Sequence, residues 1–167
     1  YFREQTAAVF QKKVDKDGLP VMKGAQELLL WLQEKGIKVA LASSTHTKKV
    51  ESHLRLAGFT GFFQAVIGGD MVEHSKPLPD IYWKACQLLQ ADPARAVAVE
   101  DSPNGIRSAY AAGMLPVMVP DLVQPDPEIE DMLYQRCDSL FDVRDFLENK
   151  LKEGEVRVYS DMIGGNT

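Results

Sequence analysis

Two periods of hydrophobic spacing alternate along this chain, and the switches between them mark its elements. Ala25, Leu28, Leu29, Trp31 and Leu32 fall on one stripe at helical spacing, so a helix is predicted over 24–35, closed by Gly36. Short apolar runs bounded by turn residues then predict strands over 37–42, 63–67, 96–99 and 116–119. Between and after them, amphipathic stretches predict helices over 47–57 (closed by Gly58), 80–90, 103–112 (closed by Gly113), 128–133 and 143–150. A further helix is expected over 2–13, with a turn-rich break over 15–20. The end, 153–167, is expected to be weakly ordered or an edge strand. Strands alternating with helices of about ten to fifteen residues imply βαβ units. With right-handed crossovers, they predict a Rossmann-like three-layer α/β/α domain with a mainly parallel sheet. The strands at 37–42, 96–99 and 116–119 are expected to be parallel neighbours in one core.

Composition narrows the partners. A chain of 167 residues holds one domain with a real core. Its net charge of -5, with no Lys/Arg cluster, argues against a nucleic-acid surface. Cys86 and Cys137 stand far apart, without metal-type spacing, and Cys86 lies in an apolar helical pattern as a small core residue. No apolar run approaches a membrane span and no secretory signal is visible, so a cytoplasmic protein without a membrane partner is expected.

The chemistry gathers at three strand ends, which a parallel sheet brings to one rim. The run Ala96-Val-Ala-Val-Glu-Asp-Ser-Pro closes on two adjacent carboxylates, Glu100 and Asp101, with Ser102 placed to cap the next helix and Pro103 to begin it. Adjacent carboxylates repel unless a cation joins them, and magnesium suits such hard oxygen donors; a solvated acidic strand end is the simpler alternative. Ala42-Ser43-Ser44-Thr45-His46-Thr47 offers hydroxyls and free N–H groups at a helix start, either an anion site or simple capping by Thr45 or Thr47. His46 reads as an exposed loop residue. In Ser75-Lys76-Pro77-Leu78-Pro79-Asp80 the prolines hold the chain extended, which suits delivery of the Lys76 ammonium to a fixed point, and Asp80 reads as a helix cap. Hydroxyl, ammonium and carboxylates together match the needs of a phosphoryl group.

In this order, Ala-Ser-Ser-Thr, Ser-Lys-Pro-Leu-Pro-Asp and Val-Glu-Asp-Ser-Pro-Asn-Gly-Ile resemble the haloacid dehalogenase-like (HAD) superfamily, in its branch of beta-phosphoglucomutase-like phosphatases and mutases. The resemblance runs from about Gly18 to Pro120. It implies that Ser43 holds the transferring phosphoryl group with the Ser44 and Thr45 backbone, and that Lys76 balances charge on nucleophile and phosphate. It also implies that Glu100 and Asp101 bind Mg2+, with Asn104 in the same loop. The substrate class implied is a small phosphorylated metabolite such as a sugar phosphate. Phosphatase activity through an aspartyl-phosphate leads; a sugar phosphomutase, or a non-catalytic phosphate-binding module, are the alternatives.

The family's nucleophile motif, an apolar strand followed by Asp-x-Asp-Gly, has one candidate here, Asp15-Lys-Asp-Gly18. Gln11-Lys-Lys-Val14 before it is no buried strand, and Leu19-Pro20 follows where a small residue belongs, so Asp15 and Asp17 are expected to be turn residues. The reading is then a cap remnant over 1–17, a core lacking its first strand over 18–150 and a tail over 151–167. A chain truncated in this way is expected to be inactive, with an exposed sheet edge that invites homo-oligomers.

Overall fold

The computed structural model describes residues 21–153. The expected helix over 2–13, the Asp15-to-Gly18 turn and the tail lie outside the described residues. Six helices and five short strands alternate: α1 (Ala25–Glu34), β1 (Ala40–Ala42), α2 (Thr47–Ala57), β2 (Ala65–Ile67), α3 (Asp80–Leu89), β3 (Val97–Glu100), α4 (Pro103–Ala111), β4 (Leu115–Met118), α5 (Pro127–Met132), β5 (Gln135–Arg136) and α6 (Leu140–Glu153). All strand pairs are parallel, and the architecture is the Rossmann-like α/β core that the periodicity predicts.

One expectation needs correction. The strands at 37–42, 96–99 and 116–119 do not form one continuous sheet among the described residues. β3 pairs with β4 and β4 with β5, while β1 pairs only with β2, leaving two sheets. The strand predicted over 37–42 is also shorter than its apolar run, because Val39 N–H donates to the Gln64 side-chain oxygen at 2.7 Å before the ladder begins at Ala40. β5 was not anticipated: Gln135 and Arg136 are polar and exposed, and give no alternating signal.

The two sheets share one body because α3 lies across both. Ile81, Tyr82 and Ala85 of α3 pack with Ile67 of β2, Ala98 of β3 and Ala109 of α4, with Ala40 and Ala42 of β1 alongside. On the opposite face, Leu28 and Leu32 of α1 and Val143 and Leu147 of α6 pack on Val117. Met118, one residue on, faces Ile106 and Ile129 instead, the period of two expected of a strand buried on both sides. Both cysteines are free and buried, and burial pushes the Cys137 thiol up to about 11.

Candidate functional site

Each strand carboxyl end feeds a helix, and the loops at those junctions meet in an open cleft of about 390 Å³. Ala42, Ser43 and Ser44 line it from β1, Lys76 from the loop before α3, and Glu100, Asp101 and Ser102 from β3. Met22, Val99, Val119 and Leu140 form an apolar wall. The three loops therefore come together at one cleft, although β1 and β3 belong to different sheets. Thr45 stands one residue beyond this lining, its N–H donating to Ser43 Oγ at 3.1 Å. Ser43 Oγ accepts that bond and keeps its own hydrogen for another acceptor.

The start of α2 is less open than an anion site would need. Asp70 Oδ1 accepts from Thr47 N–H at 2.6 Å and from Thr47 Oγ1 at 2.7 Å, and these bonds hold its carboxyl below the usual range. The cap residue is His46 rather than Thr45 or Thr47; its Nδ1 accepts from Lys48 N–H at 3.4 Å, and its Nε2 lies 3.5 Å from Asp70 Oδ2. His46 is exposed, as expected. Donors for an anion in the cleft thus come from Ser43 and the Ser44 end of this loop. Gly68 and Gly69 let that loop sit close: a Cβ on Gly68 would meet Thr47 backbone, and one on Gly69 the Ser44 carbonyl.

The Lys76 loop is pinned at both ends. Asp80 does not cap α3 by its side chain, contrary to expectation. Its Oδ2 accepts instead from His74 N–H at 3.3 Å and bonds His74 Nδ1 at 2.9 Å, closing the loop around Lys76. Ser108 of α4, wholly buried, donates to the Leu78 carbonyl at 2.6 Å. Hydrogen bonding and charge from Asp80 raise His74 above the ordinary imidazole value of 6.5, and the same bond lowers Asp80. The pair therefore contributes fully between 3.8 and 6.5, and its His74 share is lost as pH climbs from 6.5 through the raised His74 midpoint. On the acid side Asp80's share is lost as pH falls below 3.8 through its lowered midpoint. An NMR titration should give a His74 midpoint above 6.5 that returns to the ordinary value in Asp80→Asn.

Lys76 Nζ donates to the Ala42 carbonyl at 3.3 Å and forms an ion pair with Glu100 Oε1. Tyr82 Oη donates to the same oxygen. Glu100 rests on the first turn of α4, where Gly105 leaves it room: a Cβ there would overlap the carboxylate. Ser102 caps α4 through Gly105 N–H at 3.2 Å and Pro103 takes the first helical position, as expected; Asn104 is exposed in that first turn. Of the two adjacent carboxylates, Glu100 is turned inward and Asp101 is exposed at the cleft. No group of three metal-ligating side chains occurs among the described residues.

Sequence reasoning passed over Asp70, Tyr82 and Ser108. Tyr82 falls on the apolar stripe of α3 and reads as core; Asp70 and Ser108 sit in patterns typical of turns and helix surfaces.

Among the described residues no helix is long and apolar enough to cross a membrane. A family model described as haloacid dehalogenase-like hydrolase matches residues 2–113. The bifunctional riboflavin kinase/FMN phosphatase of Arabidopsis thaliana is 32% identical over 165 residues, 90% of this chain and 42% of that protein. The phosphorylated carbohydrates phosphatase of Thermotoga maritima is 34% identical over 104 residues, 62% of this chain and 48% of that protein. The structure of CbbY from Rhodobacter sphaeroides in complex with phosphate superposes with a TM-score of 0.67 at 34% identity, over 73% of this chain and 55% of that one. The chain spans about half the length of most curated relatives it matches.

Proposed function

Because the chain belongs to the haloacid dehalogenase-like hydrolase family, we propose that its cleft takes the phosphoryl group of a small phosphorylated metabolite, such as a sugar phosphate, in a magnesium-dependent phosphatase. The observation that carries this reading is the convergence of Ser43, Lys76 and Asp101 on one cleft. Relatives with phosphatase names, and a CbbY structure holding xylulose-(1,5)bisphosphate, support the substrate class.

In this reading the Ser43 hydroxyl donates to one phosphoryl oxygen, joined by the backbone of Ser44, while the Thr45 N–H holds Ser43 Oγ in place. An ammonium carries three hydrogens; Ala42 O and Glu100 Oε1 engage Lys76, and one hydrogen remains for the phosphoryl group. Asp101 is the exposed hard oxygen donor that fits magnesium, an ion content with one or two carboxylates plus water and phosphate. Glu100, held by Lys76 and Tyr82, contributes charge beside it. Magnesium bound there would neutralise phosphoryl charge and orient the group. Transfer itself runs through an aspartyl-phosphate: a carboxylate attacks phosphorus, the bond to the metabolite oxygen breaks, and water releases inorganic phosphate. The attacking aspartate lies outside the described residues.

The 167-residue chain is therefore expected to bind phosphate near Ser43 and Lys76, to bind magnesium weakly, and to show no appreciable turnover, since positioning groups alone retain little of a covalent mechanism's rate. A magnesium-dependent assay on sugar phosphates and an aryl phosphate, run on this chain and on Asp15→Asn, checks it. Robust turnover abolished by Asp15→Asn would make Asp15 the nucleophile and overturn the inactivity.

A further inference from the structure

Glu100 presents a problem that the fold has to solve. Its carboxylate aims Lys76, yet it stands beside a cleft that is to receive an anion. Unrestrained, it would swing toward the cleft and repel phosphoryl oxygens, or turn both oxygens onto Lys76 and consume the hydrogen left for the ligand. Three contacts restrain it: Lys76 and Tyr82 share Oε1, and the backbone of Gly105 closes the third side.

Tyr82 is the restraint that does not itself reach the ligand. Its side chain is buried between the two sheets, beside Ile67 and Ala98. Burial and the Glu100 charge push its phenol up, so it remains an O–H donor across the working range. Its ring also lies 5.1 Å from Lys76 Nζ, a distance at which the ring face attracts the ammonium. A phenylalanine would fill the same core volume, so packing alone does not call for the hydroxyl.

We propose that Tyr82 is a positioning residue for anion binding: its hydroxyl holds Glu100 back from the cleft, so that Lys76 offers its remaining hydrogen to a phosphoryl oxygen. The proposal rests on the phosphoryl reading of the cleft. It predicts that the Tyr82 hydroxyl matters only through the Glu100 charge, whereas a purely structural hydroxyl would matter in any background.

The test titrates inorganic phosphate into the full chain, followed by the Ser44 and Thr45 amide resonances, for the parent, Tyr82→Phe, Glu100→Gln and the double variant. Tyr82→Phe should weaken phosphate binding about 3- to 10-fold, a fraction of what a hydrogen bond to a charged group is worth because the hydroxyl reaches the ligand only through Glu100, and should change it by less than about 2-fold in the Glu100→Gln background. In a second measurement, without phosphate, the rate at which an amine reagent acylates Lys76, resolved by mass spectrometry, should change several-fold in Tyr82→Phe: slower where both Glu100 oxygens close on the ammonium, faster where the carboxylate swings to the cleft. Phosphate binding unchanged in Tyr82→Phe, or weakened equally in both backgrounds, or Lys76 acylation unchanged, would overturn the proposal while leaving the phosphoryl reading intact. No phosphate response in the parent chain would overturn the phosphoryl reading, and this proposal with it.

Discussion

Lys76→Met is expected to raise the dissociation constant for inorganic phosphate by at least about tenfold, the loss of one charge-assisted hydrogen bond, and to destabilise the fold as well. The second effect follows from burial. The Lys76 and Glu100 side chains are only 12% and 8% exposed, so the variant strands a buried carboxylate. Removing one partner of such a pair costs about 3–5 kcal/mol, whereas replacing both can be nearly neutral. Tyr82 still bonds Glu100 in the variant, which places the expected loss at the lower end. Stability and binding then separate in the double variant. Lys76→Met with Glu100→Gln should recover most of the stability in denaturant unfolding and still fail to bind phosphate. Recovery of binding in the double variant would show that Lys76 serves only to neutralise Glu100.

The constraint on the Lys76 loop is legible in the sequence, because prolines on either side of Leu78 limit the chain whatever the tertiary context. Ser102 and Pro103 likewise announce the start of α4 locally. What the sequence hides is partnership across elements. Nothing near Asp70 says that its carboxylate occupies the start of α2, twenty-three residues upstream at Thr47. Asp80 looks like a cap by position, yet His74, reached by the turn of the proline loop, takes its side chain. Glu100 and Asp101 are indistinguishable as neighbours in the sequence. A strand alternates its side chains, so one of the pair turns inward to Lys76 and Tyr82 and the other stays at the cleft. Splitting of the sheet was hidden for the same reason: periodicity gives each strand its faces but not its neighbours, and β1 and β3 are joined through α3 rather than to one another.

Gly105→Ala sets two effects of opposite sign against each other. An alanine in the first turn of α4 is a better helix former than glycine by up to about 1 kcal/mol. Its Cβ, however, would overlap the Glu100 carboxylate, with both oxygens in the way. The far end of a glutamate can ordinarily swing aside at little cost. Here it cannot do so without breaking the bonds from Lys76 and Tyr82, which leaves a buried ammonium and a buried phenol without their acceptor. At about 1–3 kcal/mol for each stranded group, more where it is charged, the loss exceeds the helix gain. Gly105→Ala is therefore expected to destabilise the chain by about 2–4 kcal/mol and to weaken phosphate binding, because Lys76 loses the group that aims it. Cutting back the carboxylate removes the collision. In a Glu100→Ala background the same Gly105→Ala change should become neutral or slightly stabilising, leaving only the helix preference. Calorimetric unfolding of the two single variants and the double variant decides the matter: an equal loss with and without the Glu100 carboxylate would mean that Gly105 is required by the helix backbone, and that its closeness to Glu100 is incidental.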